Sequence, residues 1–292
     1  MVSALSFVMP KNKEKYLGDM FWSRKTFAAN KYNVILMGDS RVYRGLSPEI
    51  MEKQLTKLKI LNFGYSNGGL NPTMFKVASE KLNPKSKVKV MVLGVTANAI
   101  TGFTKNNDQY MREFTRPREE VLERLYLNPI LYWFSATNPE QLKESFKPKN
   151  TTSYYLSEYH MNGYVESDKF PADTTEAIAS YTDDFTNYKV NKEALSILAN
   201  EVKEWTAKGI TIIAYRPPVS EPMRELEDSL GHYNETLIKQ KIEQEGGYWI
   251  PVNPNEYKTY DGSHLDKPSA ERFSIDLARQ IENILSENIA NR

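Results

Sequence analysis

Three side chains near opposite ends of the sequence have the types and spacing that nucleophilic catalysis requires. Ser40 closes the tripeptide Gly38-Asp39-Ser40, which ends an apolar run abruptly and supplies a hydroxyl. Near the C-terminus, Asp261 and His264 stand three residues apart in one loop. A serine nucleophile needs a base that accepts its proton, and the base needs a third group that fixes its tautomer. We therefore predict that these three residues act together as nucleophile, orienting acid and base.

The segment before Ser40 would place its hydroxyl at the edge of a sheet where ligands bind. Val34 to Met37 form an unbroken apolar run that predicts a buried strand, and Ser40 follows its carboxyl end. In an open α/β sheet, loops converge at this edge and the next helix presents free N–H groups. Gly, Asp and Ser are also common in turns, so the tripeptide alone is weak evidence. The distant Asp261 and His264 are what favour chemistry.

Four more apolar runs predict the other strands of an α/β domain. They are Leu58 to Phe63, Val88 to Val95, Thr211 to Tyr215 and Tyr248 to Val252. Helical patterns alternate with them, including one charged helix from Glu221 to about Glu245 with His232 in its middle. Five strands alternating with helices imply a parallel sheet covered on both faces.

We expect a single domain over residues 1–292 with an insertion, or lid, at about 103–185. The alternation of strands and helices breaks in this region, which holds 15 of the 34 aromatic residues and includes Tyr132-Trp133-Phe134. Long insertions between sheet elements often bind substrates, and aromatic rings suit sugars or acyl chains. The alternative is that these rings form a small core of their own.

Together, the two polar blocks resemble those of the GDSL, or SGNH, superfamily of serine esterases and acyltransferases. In that family the nucleophile lies in an N-terminal GDS block, and a C-terminal Asp-x-x-His block supplies the orienting acid and the base. The resemblance places Ser40, Asp261 and His264 in these roles. It implies a flavodoxin-like three-layer α/β/α sandwich with strand order 2-1-3-4-5. A mechanism of this kind needs no metal and no organic cofactor.

The resemblance also implies an oxyanion hole formed by backbone N–H groups. Ser40 would supply one N–H, and a glycine of the second block would supply another. We assign this glycine to Gly68, with Gly64 and Asn67 as neighbouring alternatives.

A third oxyanion donor is in doubt, because the sequence departs from the family pattern after the third strand. Simple members have Gly-x-Asn-Asp there, whereas this chain has Thr96 in place of the asparagine. Asn98, two residues later, is the candidate replacement donor. Loss of one such donor typically costs on the order of 100- to 1000-fold in rate.

A second serine competes for the role of nucleophile. Gly64-Tyr65-Ser66-Asn67-Gly68 matches the G-x-S-x-G elbow of α/β-hydrolases, with Ser66 as the nucleophile. That elbow normally follows several strands, but only one convincing strand precedes Ser66. Its acid and histidine also usually come from separate loops. Ser40 is therefore the better candidate.

Three further residues are candidates for substrate contact. Arg216 follows the fourth predicted strand and could hold a carboxylate or phosphate, although a surface ion pair is the favoured interpretation. Tyr65 lies in the glycine-rich turn after the second strand. His160 lies in the aromatic insertion, where a surface or structural role is the favoured alternative.

Composition excludes several classes of function. The 38 Lys and Arg residues balance 37 Asp and Glu, and the net charge of +1 gives no reason to expect a nucleic-acid partner. The absence of cysteine excludes disulfides, thiol nucleophiles and cysteine-ligated metals.

These observations lead us to expect a serine esterase or O-acyltransferase that acts on acyl esters, with acetyl the first group to test, of a carbohydrate. The aromatic insertion and the altered third block resemble alginate O-acetyltransferases and the teichoic-acid D-alanylation transfer protein. The alternative is a weak or inactive member that binds glycans in the bacterial envelope. Sequence leaves the oligomeric state open.

The resemblance to envelope proteins favours a periplasmic or cell-surface location and a membrane acyltransferase as partner. The early apolar run at 4–9 is too short to span a bilayer or to serve as a signal sequence. An extracytoplasmic location would therefore need an anchor upstream of this chain, and the cytoplasm is the alternative.

Overall fold

The computed structural model describes residues 13–102, 106–130 and 153–290. The apolar run at 4–9 and the aromatic triplet at 132–134 lie outside these residues, as does part of the proposed insertion. Within the described ranges, no helix combines the length and apolarity needed to cross a membrane.

The described chain alternates strands and helices. The strands are β1 (Val34–Met37), β2 (Ile60–Asn62), β3 (Val90–Gly94), β4 (Tyr154–Tyr159), β5 (Val165–Phe170), β6 (Thr211–Tyr215) and β7 (Tyr248–Ile250). The α-helices are α1 (Lys13–Thr26), α2 (Ser40–Gly45), α3 (Pro48–Gln54), α4 (Pro72–Ser79), α5 (Asp108–Phe114), α6 (Arg118–Leu122), α7 (Thr175–Asn187), α8 (Lys192–Ala207), α9 (Glu221–Ser229), α10 (Glu235–Gln244) and α11 (Lys267–Ala290). A 3₁₀ turn follows β3 at Asn98–Ile100.

Five strands form one parallel sheet in the order β2-β1-β3-β6-β7. The predicted three-layer α/β/α class is confirmed. The labels differ from the predicted 2-1-3-4-5 because β4 and β5, which intervene in the chain, form a separate antiparallel hairpin. The chain leaves β1 for β2 on one side and returns to β3 on the other, so the loop after β1 lies at the topological switch point.

Both faces of the sheet are buried, which explains why its strands are apolar runs without alternation. Ile35 and Met37 of β1 belong to a core on one face, beneath α4 and α8. Val34 and Leu36 belong to a second core on the other face, beneath α11. Alternate residues of one strand therefore fill opposite layers.

The hairpin of β4 and β5 lies in the predicted insertion and closes one edge of the sheet. The N–H of Asn62, in edge strand β2, donates to the carbonyl of Asn162 at the hairpin turn (3.0 Å). Gly163 packs so closely on Asn62 that any Cβ there would overlap its carbonyl oxygen. The hairpin thus covers an edge that would otherwise be exposed. The single-domain and lid assignments stay predictions.

The prediction of one long charged helix from 221 to 245 is wrong. The structure has two helices, α9 and α10, and His232 lies in the turn between them with φ +58°. Gly231 begins this turn, and Tyr233 folds inward so that its hydroxyl donates to the carbonyl of Val95 (2.7 Å). Burial of Tyr233 outweighs the helical propensity of the charged sequence.

Gly38 allows the chain to turn from β1 into α2 within two residues. Its φ is +152°, which favours glycine. A Cβ at this position would lie 2.5 Å from Cγ2 of Val42 and 2.9 Å from the carbonyl oxygen of Gly94. Val42 and Gly94 are both buried, so neither can move away cheaply.

We predict that Gly38→Ala lowers the free energy of unfolding by about 1–3 kcal/mol, because the methyl group overpacks this turn. Urea denaturation measures the change. Gly45→Ala is the matched control, since its Cβ would meet only Leu265 at an ordinary 3.8 Å. A Gly38→Ala protein as stable as the control would contradict this packing.

Candidate active site

Asp39 fixes the start of helix α2 and thereby the position of Ser40. One carboxylate oxygen of Asp39 accepts the N–H of Arg41 (2.9 Å), which caps the helix. The other accepts the hydroxyl of Thr96 from the loop after β3 (2.5 Å). Asp39 is buried and Ser40 is half-buried. The cap therefore holds the serine in the first turn, at the carboxyl edge of the sheet.

The structure brings Ser40, His264 and Asp261 together in the order that a catalytic triad requires. His264 Nε2 lies 2.8 Å from Ser40 Oγ. On the other side of the ring, His264 Nδ1 lies 2.7 Å from Asp261 Oδ2. With Asp261 ionised, the ring proton belongs on Nδ1, and Nε2 is left to accept the serine proton. The geometry is that of the predicted triad, and the catalytic roles stay a prediction.

Asp261 is held by backbone groups as well as by the imidazole. Its Oδ1 accepts the N–H of Ser263 (2.9 Å) and the N–H of His264 (2.7 Å). Burial alone would raise the pKa of Asp261, but the hydrogen bonds from His264 and the backbone lower it below its ordinary value. The carboxylate is therefore ionised at neutral pH.

The loop that carries His264 is itself braced. The Tyr260 N–H donates to the His264 carbonyl (3.0 Å), and the Tyr260 ring stacks on the imidazole with centroids 5.8 Å apart. Asp266 accepts the N–H of Ser269 (2.9 Å) and so caps the start of α11. The Asp266 side chain is thus bonded to the helix start and not to the imidazole.

The assignment of Gly68 to the oxyanion hole is wrong, because its N–H donates to the carbonyl of Tyr65 (2.8 Å) within a turn. The N–H groups of residues 64, 65, 66 and 69 are also bonded. Within the described chain, the N–H groups of Asn67 and Ser40 have no protein acceptor. Asn67 is exposed and has φ +51°, a conformation that asparagine tolerates. It is the better candidate for the second donor.

Thr96 does not replace the missing asparagine of the third block. Its hydroxyl donates to Asp39 and accepts the N–H of Ala99 (3.2 Å). Asn98 lies in the following 3₁₀ turn and is buried, and its amide oxygen has no partner among the described residues. In that part of the chain its side chain forms no hydrogen bond to the triad, so its role as an oxyanion donor stays a prediction.

Tyr65 is not placed to contact substrate, contrary to the sequence prediction. Its side chain is fully buried and its hydroxyl pairs with Thr26 (3.0 Å). The ring packs edge-on against Phe63 and Tyr110. The pattern showed which residue occupies the loop but not that its side chain points into the core.

His160 lies at the hairpin turn, with Nε2 3.9 Å from a carboxylate oxygen of Glu166. It is not among the residues that line the cavity beside His264. The prediction that His160 contacts substrate therefore has no support in the geometry.

The competing nucleophile Ser66 is paired with a different partner. Its hydroxyl lies 2.9 Å from the hydroxyl of Tyr43, and its N–H donates to the Gln109 amide oxygen (2.5 Å). The histidine that would activate a nucleophile instead bonds Ser40. The structure thus favours Ser40.

Arg216 belongs to a buried ion network rather than to a substrate site. Its guanidinium lies 2.8 Å from Glu227 Oε2 and 2.8 Å from Asp228, over the ring of Tyr233. The other oxygen of Glu227 accepts from Arg41. The predicted substrate contact is wrong, and so is the alternative of a surface ion pair, since Arg216 and Glu227 are 3% and 0% exposed.

This network joins the two halves of the triad. Arg41 follows the candidate nucleophile directly, and its Nε donates to the hydroxyl of Ser263 (3.0 Å), next to His264. The Ser263 hydroxyl also contacts that of Tyr181 (3.2 Å), over whose ring Arg41 lies. Sequence reasoning missed Glu227, although its place four residues after Met223, on the buried side of α9, was a signal.

A cavity of about 520 Å³ opens beside His264. Its walls include Arg44, Tyr155, Tyr181, Tyr260, Asp261 and His264. No cluster of acidic and histidine side chains suited to a metal ion occurs in the described residues. The cavity therefore presents the histidine and an aromatic wall to a ligand, and Ser40 Oγ lies 2.8 Å from that histidine.

Comparisons with known proteins assign no family to the chain. No family model matches it, and no curated protein matches it either. Among solved structures, the chain is similar to a Streptococcus pneumonia protein provisionally assigned as a platelet activating factor. The identity is 14% over 92% of each chain, with a TM-score of 0.41.

We predict that Glu227→Gln destabilises the protein by about 3–5 kcal/mol at neutral pH, because it leaves the buried guanidinium of Arg41 without its carboxylate partner and Arg216 with only the more exposed Asp228 and Glu235. Burial alone would raise the pKa of Glu227, but Arg41 and Arg216 lower it below the ordinary 4.5. A depressed folded-state pKa adds stability above the unfolded-state pKa, and this stability is lost as pH falls through the folded-state pKa. The difference in free energy of unfolding between wild type and Glu227→Gln should therefore become smaller as the pH falls below 4.5.

Urea denaturation at several pH values tests this linkage, with Glu225→Gln as the control. Glu225 is exposed on the same helix, so its removal should change stability by less than about 0.5 kcal/mol at any pH. A Glu227→Gln deficit that stays constant with pH would argue against the role given to its charge.

Proposed function

We propose that this protein is a serine esterase or O-acyltransferase of the SGNH type. The observation that carries the proposal is the chain of two hydrogen bonds from Ser40 Oγ through His264 to Asp261, at 2.8 and 2.7 Å. A serine at hydrogen-bonding distance from a histidine that is oriented by an ionised carboxylate is the arrangement that activates a hydroxyl.

The reaction begins when Ser40 Oγ attacks the acyl carbonyl carbon and its proton passes to His264 Nε2. The imidazolium that forms is stabilised by Asp261, whose pKa is already lowered. The carbonyl oxygen becomes an oxyanion, which the N–H groups of Ser40 and Asn67 would stabilise. When the tetrahedral intermediate collapses, the bond to the leaving alkoxide breaks and His264 returns the proton to it.

The acyl-enzyme is resolved by a second alcohol or by water. His264 takes the proton of the acceptor as its oxygen attacks the acyl carbon, and then returns a proton to Ser40 as the ester to serine breaks. Water as acceptor gives hydrolysis, and a sugar hydroxyl gives O-acylation. No step requires a metal or an organic cofactor.

A carbohydrate ester is the substrate class that fits the cavity best. Tyr155, Tyr181 and Tyr260 line it beside His264. Aromatic faces of this kind suit the apolar faces of sugar rings. The resemblance of the sequence to envelope acyltransferases supports acetyl as the acyl group, a location outside the cytoplasm and a membrane acyltransferase as the donor of the acyl group.

A glycan-binding protein with little activity is the second candidate. The observation that favours it is the engagement of Thr96 with Asp39, which removes the third-block oxyanion donor. A missing donor lowers rate without closing the cavity. Binding of a glycan by a folded protein that shows no turnover would support this reading.

We predict that Ser40→Ala lowers turnover of an activated aryl acetate by about 1000-fold or more, because triad members act as a unit and the covalent step is lost. Ser66→Ala is the matched control. It removes one hydrogen bond to Tyr43, which is worth about 0.5–1.5 kcal/mol, or roughly tenfold at most. Steady-state kinetics of both variants measure the difference. Equal activity of Ser40→Ala and wild type would refute the proposed mechanism.

A further inference from the structure

Arg44 is a cation in the active-site cavity that the proposed mechanism does not use. It lies four residues after Ser40 in helix α2, so the two side chains leave the same face of the helix. It lines the cavity that His264 and Tyr260 also line. A guanidinium carries its positive charge at every physiological pH.

Only neutral groups hold this guanidinium. Its Nη1 donates to the hydroxyls of Tyr155 (2.8 Å) and Tyr260 (3.0 Å), and its Nε donates to that of Tyr43 (3.4 Å). In the described part of the chain, no carboxylate lies within ion-pairing distance of Arg44. The three phenols therefore fix the orientation of the guanidinium without neutralising its charge.

The other arginines buried near the site are treated differently. Arg41 and Arg216 share the carboxylate of Glu227, which compensates their charges inside the protein. An unpaired guanidinium that is largely removed from solvent costs free energy unless an anion binds it. Of these three arginines, Arg44 is the one whose anionic partner would have to come from a ligand.

An anion bound by Arg44 would lie close to the position where the ester reacts. Tyr260, which accepts from Arg44, also stacks on the imidazole of His264. A ligand group that reaches Arg44 would thus lie beside the base, in the same cavity as Ser40's partner. Asp261 cannot fill this need, because both of its oxygens are engaged by the loop and by His264.

Other charges in the cavity do not offer a competing anion site. Lys169 lines it too but has Asp173 at 4.0 Å. Asp173 and Glu176 also line the cavity and are exposed, so they would repel an anion from their part of it. Among the described residues that line the cavity, Arg44 is therefore the cation that has no carboxylate within ion-pairing distance.

We propose that Arg44 binds a carboxylate or phosphate group on the ester substrate or on the acceptor, so that the natural substrate is an acidic glycan unit. This inference deepens the proposed function and rests on it. The forked guanidinium matches either anion through two parallel hydrogen bonds. It would select for the anion and set the position of the ester relative to Ser40.

A matched pair of acetyl esters tests the selectivity. One is 3-acetoxybenzoate and the other its neutral methyl ester, and the measured quantity is the ratio of their kcat/KM values. We expect wild type to favour the anionic ester, and Arg44→Gln to lower the ratio about tenfold or more, as the loss of a charge-assisted hydrogen bond requires. Arg44→Lys should recover part of the ratio, since it keeps the charge but not the fork.

Lys169→Gln is the control for a general effect of charge and should change the ratio by less than about threefold, because this lysine already has an acidic neighbour. If Arg44→Gln lowers kcat/KM for both esters by the same factor, Arg44 is a structural residue and the proposal fails. A wild-type protein with no preference for the anionic ester would also overturn it.

Binding to Ser40→Ala separates this inference from the proposed function, because it requires no catalysis. Calorimetry would compare glucuronate with glucose, and glycerol 3-phosphate with glycerol. Binding of either anion that Arg44→Gln abolishes in this background supports the subsite, even in a protein that never hydrolyses an ester, and shows which anion it takes. If wild type turns over the esters but Ser40→Ala binds charged and neutral probes with equal affinity, the proposed esterase activity is supported and the anion subsite at Arg44 is refuted.

Discussion

One buried carboxylate, that of Glu227, connects the segments on which the candidate active site depends. It binds Arg41, which follows the nucleophile, and Arg216, which follows β6. Through Arg41 it also reaches Ser263 in the loop of His264. The two buried guanidinium groups depend on this one carboxylate, since its removal leaves Arg41 unpaired in a medium of low dielectric constant. The need to pair these buried charges constrains how helix α2 packs against the loop that carries His264.

A second constraint lies in Asp39, which serves the scaffold rather than the reaction. Its carboxylate caps α2 and accepts from Thr96, so the first and third strands are tied together directly beneath Ser40. In simple members of the family that the sequence resembles, the position of Thr96 would carry an oxyanion donor. Here the same position contributes rigidity. The side chain of Thr96 is thus committed to the helix start, and under the proposed mechanism the N–H groups of Ser40 and Asn67 would stabilise the oxyanion.

The parts of the fold that sequence predicted well are those determined by local pattern. Val34 to Met37 were predicted as a strand because a short run without polar residues, ended by Gly38, is typical of a sheet buried on both faces. Asp261 and His264 could be paired because three residues separate them in one loop. The contact of Ser40 with His264 spans 224 positions, so it followed from chemical need and not from spacing.

The predictions that failed concern residues whose role depends on where the side chain points and which groups it bonds. Tyr65 points into the core, which its place in a glycine-rich turn does not reveal. Gly68 has the expected residue type, but a turn hydrogen bond uses its N–H and leaves Asn67 free. Arg216 follows a strand at the carboxyl edge of the sheet, where ligands were expected. Its partner Glu227, however, lies on a helix whose charged sequence suggested an exposed face. Each outcome depends on contacts between segments that are distant in sequence.

The most direct test of this account is to identify the residue that becomes covalently modified. The protein would be treated with an active-site-directed fluorophosphonate, and the adduct located by mass spectrometry of its peptides. We expect a single adduct on Ser40 that His264→Ala abolishes, because the imidazole 2.8 Å from the hydroxyl is what makes it nucleophilic. An adduct on Ser66, or labelling of Ser40 that persists without His264, would contradict the account.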